Sequence, residues 1–413
     1  MYFYILLLMS VVLLFRYLVG RKAVHVDFFI FGMVYYFVLP GVVFERELLS
    51  GMPGIDEWFL TASRFYSGGS VIFLTYLLSW VFSFLIGCTM FRVFTLLAPK
   101  KELTLESKVT QSYRPPDFII FFLVVFLLFV FSYYVVVGSG SLFSGYTVSY
   151  DSFVLGGIST VSIFLYGIYL SLVDYRARVL KFFILLVLLA VWSTLLMSGS
   201  RMYVLVPMVG FTTLYLLKFS NVMQRLKMVF FILFLASAFV LVGVFRSSGF
   251  SLNNMLYIFL AEPIFTSYSM LTFWSDNVLS LFEVPVSFLG GFYNLIPSVL
   301  WPNKSEFILS LRDMGYSIET PLGAESIVAS LTGNFGWVGA PLILFFSGFV
   351  LEILFFLRVR SAFYLLSYVG AVSVLPFMFF RDPLSVSIKS LFTLSVFLPA
   401  FLYLMAIVFK RKV

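Results

Sequence analysis

The sequence predicts an all-α polytopic membrane protein with about eleven transmembrane helices. Three observations lead to this prediction: of the 413 residues, 62% are hydrophobic and only 11% are charged, and the mean hydropathy is +1.06. An ordinary soluble domain has about 25% charged residues. Because a soluble fold needs a polar shell that this composition does not supply, the chain is expected to place its apolar surface in lipid.

Apolar runs that approach the length needed to cross a bilayer, about 20 residues, recur along the whole chain. The predicted spans are residues 2–19, 27–44, 71–91, 118–137, 153–173, 182–198, 202–217, 229–245, 336–357, 363–380 and 390–409. No soluble-type linker, internal repeat or low-complexity tract separates them. Residues 1–413 are therefore expected to form a single integral membrane domain.

The distribution of Lys and Arg predicts the orientation of the spans, because cytoplasmic connections carry an excess of cations. With the N-terminus outside, the inner connections hold 18 Lys and Arg, and the outer connections hold 8. The outer connections also hold 13 of the 19 Asp and Glu. The N-terminus is predicted outside and the C-terminus inside. The net charge of +8 then indicates a cytoplasmic anchor, and no nucleic-acid partner is expected.

The largest outer segment, residues 246–335, is expected to be a loop inserted within the membrane domain. It contains two semi-apolar stretches, 252–274 and 278–301. Residues that break helices interrupt both stretches, namely Pro263, Pro285, the Gly290–Gly291 pair and Pro297. We therefore expect short interfacial or re-entrant helices here, of the amphipathic kind that lies at a membrane face.

The count of metal-ligating side chains limits cofactor chemistry. Cys88 is the single cysteine and His25 the single histidine, which is too few for a site built from Cys and His alone. An all-carboxylate Mg²⁺ or Mn²⁺ site stays open on these numbers. The sequence gives no positive indication of a metal or another cofactor, so none is expected.

Arginines in the outer connections are candidate ligands for a phosphate group, because the distribution of cations disfavours them there. Arg201 lies in a tight hairpin, and Arg246 and Arg381 each directly follow a predicted span. Arg binds phosphate oxygens in a bidentate manner, so the three could share one pyrophosphate. The alternative is that each is a snorkelling anchor or pairs locally, as Arg381 could with Asp382.

Two further cations of the large loop, Lys304 and Arg312, are additional candidates for pyrophosphate binding, with a solvated surface role as the alternative. Among the loop acids, Glu262 lies in an apolar stretch and Glu325 lies just before a late span. Burial would raise the pKa of such a carboxyl and suit it to acid–base catalysis. Glu352, inside the span 336–357, is expected to pair with a nearby Arg358 or Arg360.

Several features of the sequence occur together in one known family. The chain is aromatic-rich, has a Gly-Ser-Arg hairpin that ends at Arg201, and has a single large outer loop. An Asn-Phe-Gly-x-x-Gly motif, formed by Asn334, Phe335, Gly336 and Gly339, leads into a late span. In these features the chain resembles the Wzy-type O-antigen and oligosaccharide repeat-unit polymerases, and the likeness in predicted topology spans the whole chain.

This resemblance implies a GT-C-like membrane glycosyltransferase of the bacterial inner membrane, with the large loop on the periplasmic side. Such an enzyme would transfer a growing saccharide from its undecaprenyl-pyrophosphate carrier to a new lipid-linked repeat unit. A lipid bilayer and undecaprenyl-pyrophosphate-linked oligosaccharide are the implied partners, and a chain-length regulator protein is a further candidate. Outer arginines would bind the pyrophosphate, and Glu325 or Glu262 would act in catalysis.

Other functions stay open. An O-antigen ligase would be expected to carry a functional histidine in its outer loop, whereas His25 is predicted on the cytoplasmic side. A transporter or flippase of lipid-linked oligosaccharide would be expected to show paired repeats and broken helices, and no internal repeat is evident. A membrane scaffold would explain the hydropathy but not the outer arginines.

Labelling in whole cells checks the predicted topology. A cysteine introduced as Val413→Cys is expected to resist an impermeant thiol reagent, because Lys410, Arg411 and Lys412 hold the C-terminus in the cytoplasm. A cysteine introduced into the loop 246–335 is expected to react. Reaction at position 413 in intact cells would contradict the topology and every outer site derived from it.

Overall fold

The computed structural model describes most of the C-terminal half of the chain and several helices of the N-terminal half. The described residues are 24–45, 70–97, 178–197, 202–218, 252–296 and 300–408, with isolated positions elsewhere. The spans predicted at 2–19, 118–137, 153–173 and 229–245, together with Arg201 and Arg246, lie outside these ranges.

The described part of the chain is all-helical, and no strand occurs in it. Its helices are α1 (Val24–Met33, a π-helical turn Val34–Val38, and Leu39–Glu45), α2 (Ser70–Leu97), α3 (Arg178–Met197), α4 (Met202–Lys218), α5 (Leu252–Asp276), α6 (Val286–Tyr293), α7 (Ile327–Leu357), α8 (Ala362–Val374), α9 (Met378–Arg381) and α10 (Leu384–Phe392, a π-helical turn Thr393–Phe397, and Leu398–Val408). Short 3₁₀ turns occupy Pro302–Phe307 and Pro321–Gly323.

Five of these helices are long and apolar enough to cross a membrane. They are Val24–Glu45, Ile72–Thr95, Met255–Asp276, Ile327–Leu357 and Leu384–Leu404. Shorter apolar helices occur at Val179–Ser193, Val204–Leu217 and Ala362–Val374. The described part of the chain is all-helical, as predicted, and its five candidate spans are consistent with a membrane protein. About eleven spans, their orientation and a GT-C-like arrangement stay predictions.

The pair formed by α2 and α7 is the most extensively packed in the described structure. Tyr76 bonds to Thr332 near the start of both helices, and Arg92 bonds to Glu352 near their ends. The two helices therefore run parallel, as expected for two spans that both lead inward. Glycines permit the close approach, since a Cβ at Gly348 would lie 2.3 Å from the carbonyl oxygen of Phe84.

Helix α5 is continuous through Pro263, so the break expected there is wrong. A proline inside a helix leaves the carbonyl four residues earlier without its N–H partner. In α5 that carbonyl belongs to Phe259, and the hydroxyl of Tyr35 on α1 donates to it at 2.9 Å. The side chain of another helix thus replaces the missing bond. The expectation of a short helix is also wrong here, since α5 has 25 residues and contains one of the five candidate spans. An interfacial position for α5 stays a prediction.

The same exchange occurs in the opposite direction between these helices. Pro40 lies inside α1 and offers no N–H to the carbonyl of Tyr36. The hydroxyl of Ser267 on α5 donates to that carbonyl at 2.7 Å. Each helix therefore supplies a hydroxyl to the carbonyl that a proline frees in the other, and both helices stay helical within an apolar environment.

At Pro376, in contrast, the helix does not continue, and the predicted span 363–380 is interrupted there. Helix α8 ends at Val374, a turn follows, and the chain resumes in the short helix α9. The turn is the physical reason that Arg381 and Asp382 lie at the end of a separate short element. The predicted span 390–409 starts earlier than expected, at Leu384, and contains a π-helical turn.

The Asn-Phe-Gly-x-x-Gly motif at the kink of α7 binds the backbone of the segment 277–296. Gly336 has φ of +75°, which kinks α7 and frees the next N–H groups from the helical pattern. Those of Trp337 and Val338 donate instead to the carbonyls of residues 280 and 281, both at 3.1 Å. Asn334 accepts from the N–H of Phe288 at 2.9 Å and so caps the start of α6.

Among the described residues of the second semi-apolar stretch, 278–301, only the eight residues of α6 form an α-helix, and the segment before α6 is neither helix nor strand. Pro297 lies outside the described residues. The expectation of a short helix in this stretch is confirmed. Gly290 and Gly291, expected to interrupt it, instead lie inside α6 in buried positions. A Cβ at Gly291 would lie 2.8 Å from the side chain of Ile388 on α10, so glycine here allows close packing.

Two glycine substitutions separate backbone strain from steric clash. Gly336→Ala places a Cβ 2.5 Å from the carbonyl of Leu281, whereas at Gly315, with φ of +89°, nothing lies within 4 Å of an added Cβ. Gly315→Ala is expected to cost about 1–2 kcal/mol from the left-handed backbone alone. Gly336→Ala is expected to cost clearly more. The thermal unfolding midpoints of the two variants in detergent measure the difference. Equal decreases in the midpoint would contradict a close contact between Gly336 and the backbone of Leu281.

Candidate functional site

Of the residues predicted to act in function, five lie in the described part of the chain. They are Glu262, Lys304, Arg312, Glu325 and Arg381. Arg201 and Arg246 lie outside it, so the convergence of three arginines stays a prediction. Three of the five described residues meet in one place.

Arg381 joins two carboxylates at the end of α9. Its Nε donates to Glu262 of α5 at 2.5 Å, and its Nη1 donates to Asp382 at 2.6 Å. The Arg381 side chain is 16% exposed. Burial alone would lower the pKa of Arg381, but the charges of Glu262 and Asp382 outweigh this and raise it. The local pairing with Asp382, considered as an alternative from the sequence, is confirmed.

Glu325 adjoins this ion pair through the backbone. Its N–H donates to the carbonyl oxygen of Arg381 at 2.9 Å, and the Ser330 hydroxyl on α7 donates to its carboxylate. Glu325 is only 4% exposed. Burial raises the pKa of Glu325, although the Ser330 hydrogen bond and the charge of Arg312 act in the opposite direction. A buried carboxyl with a raised pKa is suited to proton transfer.

We call Glu262, Glu325, Ser330, Arg381 and Asp382 the acid–arginine cluster. Glu262 and Asp382 pair with the Arg381 guanidinium, and Glu325 joins the cluster through its backbone N–H. Two ionised carboxylates already exceed the one positive charge of Arg381. Burial also raises the pKa of Asp382, against the opposing effect of Arg381. Carboxylates of this kind can accept hydrogen bonds from sugar hydroxyls or remove a proton from one.

The hydrogen bonds described for Lys304 and Arg312 do not join them to the acid–arginine cluster. Lys304 is buried, and its Nζ donates to the carbonyls of Ile296 at 2.5 Å and Asn294 at 3.4 Å. Burial lowers its pKa, as does the charge of Lys389. The Nε of Arg312 donates to the carbonyl of Ile318 at 2.8 Å. Both cations thus hold loop backbone, and their pyrophosphate role stays a prediction.

Sequence reasoning did not identify Ser330 as a partner of a site residue, and it considered Asp382 only as a local anchor. The available signals were short spacings: Asp382 directly follows Arg381, and Ser330 comes five residues after Glu325. The contact between Glu262 and Arg381 joins positions 119 residues apart. No local pattern could have predicted that pairing.

A second buried group of polar side chains lies at the other end of α7. Glu352 binds Arg92 of α2 through both carboxylate oxygens, at 2.7 and 2.9 Å, and lies 3.1 Å from Nε2 of His25. The expected ion pair with Arg358 or Arg360 is therefore wrong. Arg358 instead lies over the ring of Phe355 on its own helix. The reason is that the neighbouring parallel helix brings Arg92 to the level of Glu352.

The same group brings Cys88 and Tyr368 against His25. The Sγ of Cys88 lies 3.6 Å from Nε2 of His25, and the hydroxyl of Tyr368 lies 3.0 Å from Nδ1. We call His25, Cys88, Arg92, Glu352 and Tyr368 the His25 cluster. The single Cys and single His of the sequence exclude only a metal site built from those two residue types. A mixed site completed by Glu352 lies outside that count.

Comparisons with protein-family models, with curated proteins and with solved structures find no match to this chain.

Removing the charge of Glu325 is expected to flatten the dependence of stability on pH. The unfolded chain loses this proton near pH 4.3, whereas the folded chain, with its raised pKa, holds it to higher pH. The stabilisation from the protonated form is therefore complete below about pH 4.3 and is lost as pH rises through the folded pKa. Glu325→Gln should unfold at a higher temperature than wild type above this window.

Thermal unfolding at a series of pH values measures this effect. Glu319→Gln is the matched control, because Glu319 precedes the same helix but has an exposed side chain. It is expected to leave the wild-type pH profile in place. A Glu325→Gln profile parallel to that of wild type at all pH values would contradict a raised pKa at Glu325.

Proposed function

We propose that the protein is a membrane glycosyltransferase that polymerises undecaprenyl-pyrophosphate-linked oligosaccharide repeat units on the periplasmic side of a bacterial inner membrane. The observation that supports this is the meeting of Glu262, Glu325 and Arg381, each inferred separately from the sequence, in the acid–arginine cluster. The resemblance to repeat-unit polymerases supplies the substrate class.

The chemistry of the cluster fits transfer between two lipid-linked sugars. No nucleotide is supplied outside the cytoplasm, so the donor must carry its own leaving group, here a pyrophosphate. Glu325 has a buried carboxyl aligned by Ser330, and we assign it the deprotonation or orientation of the acceptor hydroxyl. Glu262 is the second acid available for sugar hydroxyls.

Arg381 takes a more specific role than the sequence alone suggested. Two carboxylates already neutralise its guanidinium through Nε and Nη1. In the proposed reaction, Arg381 positions Glu262 and Asp382 and contacts the leaving pyrophosphate when one of these carboxylates moves away. A cation near the leaving group would stabilise the charge that develops in the transition state. Arg201 and Arg246 remain the proposed additional ligands of the pyrophosphate.

A transporter of lipid-linked oligosaccharide is the second candidate. One observation favours it: the His25 cluster places Arg92, Glu352 and His25 inside candidate spans, and ionisable groups at such positions mark transport pathways in many membrane proteins. A transporter would move the saccharide without changing its length. A polymerase would produce longer saccharides, so product length distinguishes the two.

Purified protein incubated with lipid-linked repeat units, extracted from the organism that encodes the chain, tests the proposal. A ladder of saccharides is the expected product. Glu325→Gln is expected to slow chain extension about 10²–10⁴-fold, the usual contribution of a general acid or base. Arg381→Lys is expected to lose about 10²–10³-fold, because Lys supplies charge without the guanidinium geometry.

Arg360→Lys is the control, since Arg360 is exposed at the opposite end of α7 from the acid–arginine cluster. It is expected to extend chains at the wild-type rate. Normal rates for both Glu325→Gln and Arg381→Lys would remove the acid–arginine cluster from catalysis. Folded wild-type protein that leaves the saccharide length unchanged would contradict polymerisation.

A further inference from the structure

The His25 cluster joins four helices far from the acid–arginine cluster. His25 lies on α1, Cys88 and Arg92 on α2, Glu352 on α7, and Tyr368 on α8. Glu325 precedes the start of α7, whereas Glu352 lies 25 residues past Ile327, which corresponds to roughly 38 Å of helix. Nothing in the proposed glycosyl transfer uses the His25 cluster.

We propose that Nε2 of His25, Sγ of Cys88 and one carboxylate oxygen of Glu352 together bind one divalent transition-metal ion of the zinc class, which ties α1, α2 and α7 together. The three ligand atoms all lie within 4.8 Å of one another, and all three residues are buried. Nitrogen, sulfur and oxygen donors are the ones that zinc takes in proteins.

Two of the three separations between the donor atoms match those around such an ion, and the third, between Cys88 and Glu352, is within 4.8 Å. Bonds of about 2.3 Å to sulfur and 2.0–2.1 Å to nitrogen place N and S about 3.5 Å apart in a tetrahedron, and N and O about 3.4 Å apart. The structure has 3.6 Å between His25 Nε2 and Cys88 Sγ, and 3.1 Å between Nε2 and Glu352 Oε2. Small shifts of side chains would therefore complete the site.

The groups behind the ligands are arranged as in known metal sites. The hydroxyl of Tyr368 lies 3.0 Å from Nδ1 of His25, which leaves Nε2 directed at Cys88 and Glu352. A histidine ligand commonly uses its other ring nitrogen in this way, and ligating carboxylates are themselves hydrogen-bonded. Arg92 supplies that second contact, because its guanidinium holds both oxygens of Glu352.

The charges and protons also balance. On binding, the Cys88 thiol gives its proton to water and becomes a thiolate, while Glu352 is a carboxylate already paired with Arg92. The thiolate and carboxylate offset the two charges of the ion. The remaining positive charge is that of Arg92, whose side chain is 43% exposed and can be solvated.

Cobalt(II) is the probe, because its bonds to thiolate absorb in the near ultraviolet and its colour reports tetrahedral geometry. The full chain, purified in detergent without a polyhistidine tag and stripped by a chelator, is titrated with Co²⁺. Cys88 is the single cysteine, so any thiolate–cobalt band of the folded chain identifies it as a ligand without a variant. The band is expected to saturate at about one ion per chain and to vanish on adding Zn²⁺.

Substitutions define the other ligands. Cys88→Ser should abolish the band, His25→Gln should weaken binding strongly, and Tyr368→Phe should lower affinity about 10–100-fold. Thr89→Ala is the matched control, because Thr89 is exposed and bonds only to the backbone of its own helix among the contacts shown. It should bind as wild type does.

Folded wild-type protein that shows no thiolate–cobalt band would overturn the proposal, and the His25 cluster would then be held by hydrogen bonds and the Arg92–Glu352 ion pair alone. A band that persists in His25→Gln with unchanged affinity would also overturn it. The wild-type titration decides the question even where a variant fails to fold. Its outcome is independent of the glycosyltransferase assay.

Discussion

In apolar surroundings, every backbone N–H and C=O needs a partner from within the protein, and this constraint shapes the described structure. Prolines and one glycine remove backbone hydrogen bonds from its long helices, and other elements supply the missing partners. Tyr35 and Ser267 compensate for Pro263 and Pro40, and backbone carbonyls of the segment before α6 receive the N–H groups that the kink at Gly336 frees. These substitute hydrogen bonds hold α1 against α5, and α7 against the segment before α6. Glu262 on α5 and Glu325 before α7 both contact Arg381 within this packing.

Hydropathy was sufficient to predict the helices whose interior is uniformly apolar, such as α2 and α4, with their ends shifted by a few residues at most positions. It failed at Pro263, because continuity there depends on a hydroxyl from a helix 224 residues earlier in sequence. At Pro376 the error was the reverse, because a continuous span was predicted and the helix is interrupted there. A sequence pattern contains the proline but not its distant partner.

The same limit applies to the candidate site. Glu262, Glu325 and Arg381 could be selected singly, because charged residues in or beside apolar stretches are costly and therefore informative. Their partners could not be selected, since Glu262 finds Arg381 119 residues away and Glu352 finds Arg92 260 residues away. For Glu352 the local rule favoured arginines on the same helix. Parallel packing of α2 against α7 overrode it.

The reciprocal hydroxyl exchange between α1 and α5 has a consequence for biosynthesis. Ribosomes deliver α1 to the membrane long before α5, so α1 must wait there with the carbonyl of Tyr36 lacking the Ser267 hydroxyl. When α5 arrives, two hydrogen bonds form at one contact, and neither forms fully if the helices are displaced along each other by a turn. The exchange therefore favours one register of α1 against α5 during assembly, because a misaligned pair would leave both carbonyls without their hydroxyl partners.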